Sequence, residues 1–369
     1  MMLTEQLSAA RLQTVRAQLE DHNIDALCIS VGADLPYLIG YEAMPLERLT
    51  MLVVDQTNKP TLFIPTLEVP RVETMDGVFD VVGWDETIDP IGLVGRRIGD
   101  GRRVAMGDTT WARFVIDLLK LRPELELHRS AGIMTPLRAV KSSAEIEALR
   151  TAAEAADRVI GQLQNGEVGL VGRTEAQVSD ELGHRLLAEG HQVVNFAIVA
   201  SGPNSASPHH HAGSRVIEPG DVVLCDIGGT FDGYCSDITR CVFAGEPSAE
   251  VEEVYAVLYQ AQRAAVAIGH EGASCQDVDR AARSIIAEAG YGDQFVHRTG
   301  HGIGMEAHED PYMVEGNADK LVAGHAFSVE PGIYLPGRFG LRLEDIVVAG
   351  VDAPDQLNQS DHDMLVVTA

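Results

Sequence analysis

The chain has 369 residues, 45% of them hydrophobic, and carries 28 Lys and Arg against 55 Asp and Glu, a net charge of −27. That length allows more than one hydrophobic core, and so negative a field repels phosphate backbones and anionic membrane faces, excluding nucleic acid and membrane as expected partners. Five cysteines, Cys28, Cys225, Cys235, Cys241 and Cys275, form no Cys-x-x-Cys pair, so neither a disulfide framework nor a zinc ribbon is expected.

The opening stretch MMLTEQLSAARLQTVRAQLE has helical spacing with charges throughout and no apolar h-region, and no later segment reaches the length needed to span a bilayer. A cytoplasmic location is expected. From there to about residue 130, helical patterns alternate with β-rich runs at 26–31, 50–54, 61–64, 78–84 and 103–106, the rhythm of a small α/β domain. The pattern breaks over Thr135–Ser143, where Ser143, followed by Glu145 and Glu147, reads as a helix N-cap with acidic first-turn residues. Domains are therefore expected at 1–137 and 138–369. In the second, helical patterns at 143–164, 173–189, 248–268 and 274–289 accompany strand-like runs at 193–200, 221–227, 234–243, 325–330 and 341–348, which predicts an α+β domain with a mainly antiparallel sheet.

Two of these regions read as hairpins. In LCDIGGTFDGYCSDITR, residues 224–240, a turn centred between Phe231 and Asp232 sets Asp226 directly opposite Asp237; a turn one residue later leaves them diagonal on the same face. In SVEPGIYLPGRFGLRLED, residues 328–345, a turn centred on Gly337 makes Glu330 and Glu344 mirror positions. Four buried carboxylates must either take up protons or bind metal. The stretch HRTGHGIGMEAHEDP adds His297, His301 and His308. Four carboxylates and one imidazole form a hard, oxygen-rich donor set suited to two divalent ions, so one of the three histidines is expected as a ligand and the others toward substrate.

These residues resemble the pita-bread-fold metallopeptidases (peptidase family M24), the group that holds methionine aminopeptidase, aminopeptidase P and prolidase. The resemblance spans about residues 143–369 through Ser201–His209, Asp226 to Asp237 with Ile-Thr-Arg behind, Gly300-His301-Gly-Ile-Gly with His308-Glu-Asp-Pro311, Val329–Tyr334 and Arg342–Asp345. It implies a pita-bread catalytic domain behind a creatinase-type N-terminal domain, found in the proline-directed and creatinase-like members, and a homodimer. By the same resemblance Asp226 chelates one ion, Asp237 and Glu344 bridge two, and His301 and Glu330 bind the other, with Mn²⁺ expected ahead of Co²⁺ or Zn²⁺. The two ions would share an activated hydroxide that attacks the scissile carbonyl, Glu330 would pass on its proton, and His308 and His209 would hydrogen-bond the carbonyl oxygen. Arg342 is expected to orient a ligand, and Tyr334 and His297 to lie toward substrate or in the core, while His210 and His211 are expected to be solvated loop residues. The implied substrate is a proline-containing di- or oligopeptide: an Xaa-Pro dipeptidase activity, with Xaa-Pro aminopeptidase as the alternative. In several prolidases an arginine after the His-Glu-x-Pro motif holds the terminal carboxylate; here Tyr312 stands at that substrate-binding position.

Two other readings bear on the same residues. Asp226-Ile-Gly-Gly-Thr230 looks like the first phosphate loop of actin-like sugar kinases, but no second loop matches, and Gly300-x-Gly302-x-Gly304 lacks the dinucleotide spacing. A metal-free hydrolase or binding protein on the same fold is the other alternative, against which all five ligand types are present.

Overall fold

The structure, a computed structural model, describes residues 4–367. Residues 1–3 and 368–369, inside the expected domain ranges, lie outside the described residues. The chain divides into two compact units between Arg138 and Ala139.

The first unit is a six-stranded sheet whose strands run, in spatial order, Asp80–Trp84, Thr61–Pro65, Met51–Asp55, Ala26–Ile29, Arg103–Met106 and Glu126–Arg129. Ala26–Ile29 pairs antiparallel with Met51–Asp55 and parallel with Arg103–Met106, so this sheet is mixed. Its central strand is buried along its whole length, and one face is closed by Val94, Ile98, Phe114 and Leu118 from the helices Pro90–Ile98 and Ala112–Leu121. The strand expected at 78–84 starts at Asp80, because the Val78 amide closes a turn on the Met75 carbonyl.

In the second unit the four expected helices form, at Ser143–Gln164, Glu175–Ala188, Ala249–Ile268 and Cys275–Glu288. The first is capped by Ser142, one residue before the expected Ser143. Only Ser142 stands three positions before Glu145, so the two close a reciprocal capping box. The strand Val222–Phe231 lies between Val193–Ser201 and Ile238–Phe243, antiparallel to both. Its side chains alternate between two cores, with Val223, Cys225 and Ile227 packed among Val159, Ile160 and Leu182, and Val222 and Leu224 packed with Tyr255, Leu258 and Phe327. Asp226 shares the Leu224 face. A further sheet orders Glu309–Met313, Gly300–Gly302, Ala326–Val329, Asp345–Val348 and Asp355–Gln356.

Both hairpins form. In the first, Asp232 and Gly233 both take positive φ, 47° and 84°, as a two-residue type I′ turn requires. The turn therefore falls one residue beyond Phe231-Asp232, Asp226 pairs with Thr239, and Asp237 lies diagonal to Asp226 on the same face. In the second, Gly337 has φ 76° and the register is mirrored about it from Leu335↔Phe339 out to Ala326↔Val348. The run expected at 341–348 is nevertheless two strands, Phe339–Arg342 and Asp345–Val348. Opposite the break stands Pro331, which has no N–H to return to the ladder. The hairpin thus passes from one sheet into another at Glu330 and Glu344.

Arg240 ties the two hairpins together from behind. It is fully buried, donates to the carbonyl oxygens of Glu344 at 2.7 Å and Asp361 at 3.0 Å, and pairs with Asp345 at 2.6 Å. The remaining Asp345 oxygen accepts from Gln262 at 2.6 Å and Gln356 at 3.0 Å, and lies 2.7 Å from His362 Nε2. Removing one member of so enclosed a pair leaves the other charged and dry. Arg240→Ala is therefore expected to destabilise the second unit by about 3–5 kcal/mol, seen as a lower urea midpoint by circular dichroism.

Candidate metal centre

Asp226, Asp237, His301, Glu330 and Glu344 converge. Three overlapping sets, Asp226–Asp237–Glu344, His301–Glu330–Glu344 and Asp237–His301–His308, each bring one donor atom per residue to within 4.8 Å of one another. Asp226, Asp237, His301 and Glu344 are all buried.

The backbone explains how they meet. Glu344 forms an isolated bridge to Thr239, its amide donating to the Thr239 carbonyl at 3.2 Å, and the Thr239 hydroxyl donates to Glu344 Oε2 at 2.6 Å. This contact joins the first hairpin to the second on the side of the carboxylates. His301 arrives on a short strand between two glycines that allow close approach: a Cβ on Gly300 would lie 1.8 Å from the Ser328 carbonyl oxygen, and one on Gly302 would lie 2.2 Å from that of Asp310. The His301 amide donates to Ser328 Oγ at 3.0 Å, and its Nδ1 lies 3.1 Å from the Gly302 carbonyl oxygen. His301 Nε2, on the other side of the ring, lies 3.2 Å from Glu330 Oε1 and 3.8 Å from Asp237 Oδ2.

The electrostatics of this cluster are those of an unmet demand for positive charge. Burial first, and then the neighbouring carboxylates, push Asp237 and Glu344 well above the usual carboxylate range, and burial raises Asp226 in spite of Arg342. Burial would also raise Glu330, but the hydrogen bond and charge of His301 draw it down to about 2. Arg342, itself buried, donates to Asp226 Oδ2 at 2.5 Å, to the Thr239 hydroxyl at 3.1 Å and to the Tyr334 hydroxyl at 2.9 Å. The other Asp226 oxygen, Oδ1, is buried without a hydrogen-bond partner among the described residues. An orphaned carboxylate oxygen beside two further carboxylates fits a bound divalent cation, and oxygen donors with one imidazole are the right chemistry for it.

A model of metallopeptidase family M24 matches residues 147–350, across this whole centre. The chain belongs to metallopeptidase family M24. A creatinase/prolidase N-terminal domain matches residues 11–140. Similar over nearly their full lengths are the "Probable dipeptidase PepE" of Mycobacterium tuberculosis, 42% identical (97% of this chain, 96% of that protein), and the Xaa-Pro dipeptidase of Lactobacillus helveticus, 34% identical (96% and 98%). The crystal structure of the dipeptidase PepE from Mycobacterium ulcerans superposes with a TM-score of 0.94 at 41% identity, covering 100% of both chains. The fold of this M24 chain is accordingly that of the group, a smaller N-terminal domain followed by a pita-bread domain.

Around the centre, the His308 ring lies tilted against that of His301, their centroids 3.9 Å apart, and burial with the His301 charge brings its pKa down to about 4. His209 is exposed, beyond the 3-10 turn Gly202–Ala206, and near enough for its charge to be felt at His308. His297 Nε2 lies 2.8 Å from the Tyr334 hydroxyl, so Tyr334 bridges His297 to Arg342 inside the protein, with burial pushing its hydroxyl up to about 12. Tyr312, half-buried, lies under the guanidinium of Arg298. His211 is exposed as expected, but His210 is not a solvated residue. Its Nε2 lies 2.8 Å from Glu175 Oε2, drawn in because Glu175 is wholly buried at a helix start and needs donors. Glu175 also accepts from Ser201 N and Oγ, both at 2.8 Å, and from Asn204, and so pins the loop that carries His209.

Thr239, Glu175, Ser328 and Arg298 are the residues that the sequence reading passed over. Thr239 alone had a signal, since it follows Asp237 by two on a strand and must share its face. In the metal-free protein, Asp237→Asn removes one of four crowded carboxylates. Relief of on the order of 1 kcal/mol of repulsion is expected to raise the melting temperature by about 2–4 °C, measured by calorimetry with chelator present.

Proposed function

We propose that this M24 chain hydrolyses the Xaa-Pro bond of dipeptides at a pair of divalent ions held by Asp226, Asp237, His301, Glu330 and Glu344. The observation that carries the reading is the overlap of three donor sets on Asp237, His301 and Glu344, with Asp226 Oδ1 left without a hydrogen-bond partner among the described residues. As the M24 resemblance implies, Asp237 and Glu344 would serve both ions, Asp226 one of them, and His301 with Glu330 the other, an assignment supported by the overlap of the donor sets. Such a pair acidifies water and polarises a carbonyl. Oxygen donors with a single nitrogen favour Mn²⁺ over Zn²⁺.

The protein's own groups do the rest. Glu330, at the hairpin junction, takes the proton released by the attacking water and delivers it to the proline nitrogen, which as a tertiary amide has none of its own. His308 and His209 hold the scissile carbonyl oxygen from the open side of the centre. Arg342 fixes Asp226 by a charge-assisted hydrogen bond and is itself held by Tyr334 and, through it, His297. In this reading the unit from Ala139 onward carries the chemistry and the preceding unit is accessory; the molecule works as a homodimer in the cytoplasm, a setting supported by five free, buried cysteines. Among the described residues no helix is long and apolar enough to cross a membrane.

Dipeptidase is preferred to aminopeptidase because the chain is similar end to end to the Xaa-Pro dipeptidase of Lactobacillus helveticus. Uncharged Tyr312, which offers a terminal carboxylate no ion pair, favours the second reading, cleavage of longer peptides. An assay pairing an Xaa-Pro dipeptide with an Xaa-Pro-Yaa tripeptide decides between them. The dipeptide is expected to be cleaved faster, with activity lost to chelator and restored by Mn²⁺; faster cleavage of the tripeptide selects the aminopeptidase, and chelator-resistant cleavage overturns the metal centre. His308→Ala is expected to lower kcat by about 10²-fold while metal analysis still finds about two ions per chain.

A further inference from the structure

We propose that Arg298, whose guanidinium lies over the ring of Tyr312, is the cation that receives the free carboxylate of the dipeptide, an inference that rests on the dipeptidase reading and supplies what that reading lacks. The Arg298 Cζ lies 4.3 Å from the centre of the Tyr312 ring. Arg298 is half-buried, and among the described residues its guanidinium has neither a carboxylate nor a carbonyl partner. A planar group with five N–H donors thus lies over an aromatic face with those donors uncommitted among the described residues. In a chain of net charge −27 an unpaired guanidinium is conspicuous. Lost hydration without a partner costs free energy, and an anionic ligand returns it.

Its position suits the task. Arg298 follows His297, which is bonded to Tyr334, and precedes the strand Gly300–Gly302 that carries His301. Tyr312 comes from the neighbouring antiparallel strand Glu309–Met313, four residues after His308. Arg298 is near enough to His308 for its positive charge to count among the causes of that residue's lowered pKa. In Xaa-Pro the terminal carboxylate hangs one residue beyond the scissile carbonyl, a reach of about 3.8 Å. A substrate whose carbonyl lies against His308 therefore carries its carboxylate within that reach of His308, and the carboxylates of the centre repel it. Tyr312 contributes no charge; it is the platform under the guanidinium, whose fork can make two parallel N–H···O bonds to a carboxylate.

The same geometry disfavours a longer peptide. Once proline is followed by another residue its carbonyl is neutral, and a guanidinium gains far less from a neutral acceptor than from a carboxylate. Arg298 in this way sets length preference through charge.

The experiment compares Ala-Pro with its C-terminal amide on wild type, Arg298→Ala, Arg298→Lys and Tyr312→Leu, with metal content and melting temperature measured on each. Wild type is expected to prefer the acid, and Arg298→Ala to lower kcat/KM for it by about 10- to 100-fold, mainly through KM, so that the acid-to-amide ratio falls toward one. Arg298→Lys is expected to restore some of that ratio, and Tyr312→Leu to lose less than Arg298→Ala. A ratio that survives Arg298→Ala, or an equal loss on both substrates through kcat, overturns the proposal. If wild type cleaves neither compound, the dipeptidase reading fails by itself, and calorimetric binding of N-acetylproline against its amide then tests Arg298: acid selectivity lost in Arg298→Ala sustains the assignment, and equal binding of acid and amide to wild type overturns it. Should Arg298→Ala not fold, Arg298→Gln carries the same comparison.

Discussion

Mutual repulsion among Asp226, Asp237, Glu330 and Glu344 is the constraint to which the second unit is built. Two unit charges 4 Å apart repel by about 4 kcal/mol at the effective dielectric of a protein site. A few such pairs rival the whole stability of about 5–15 kcal/mol that a domain commands. The molecule neither spreads the carboxylates apart nor supplies a cation for each. It provides one guanidinium, Arg342, for Asp226, and otherwise holds the donors in place through rigid backbone, with two hairpins locked in register and bridged at Thr239 and Glu344. The remaining demand for positive charge is what makes the place a site.

Much of this was legible in the sequence because hairpin register is a matter of counting. Gly337 fixed the second hairpin, and its mirrored positions put Glu330 and Glu344 together without knowledge of the sheets. The first hairpin was legible to within one residue, the uncertainty being which pair among Phe231, Asp232 and Gly233 turns; positive φ at both central positions selects Asp232-Gly233. What counting cannot show is where a long strand changes sheets. The run 341–348 looks continuous, and its interruption depends on Pro331 across the ladder, a partner that only the fold supplies. Glu175 was invisible for the same reason. Alone it is an ordinary first-turn glutamate, and its partners Ser201, Asn204 and His210 lie 26 to 35 positions away.

Histidines illustrate the limit further. Spacing grouped His297, His301 and His308 but assigned no roles within the group. The fold separates them by what the other ring nitrogen and the ring faces touch. His301 is oriented by the Gly302 carbonyl and faces carboxylates, His297 is committed to Tyr334, and the exposed His308 lies tilted against the His301 ring. Each assignment depends on one or two backbone atoms whose positions no residue pattern encodes.

Adjacent residues Glu344 and Asp345 show most clearly how a donor carboxylate differs from a structural one. On an extended chain they point to opposite sides, as do Thr239 and Arg240 on the facing strand. Thr239 meets Glu344 on one side and Arg240 meets Asp345 on the other, so a pair open to a ligand and a pair closed to it stand back to back. Burial penalises both carboxylates equally in kind. Asp345 is nevertheless brought below the usual range by Arg240 and His362, whereas Glu344, facing Glu330 and Asp226, is driven well above it. Burial alone therefore does not mark a metal ligand. The mark is burial with the cation left out, and the fully paired network on the reverse side supplies the rigidity that lets Glu344 remain in that condition.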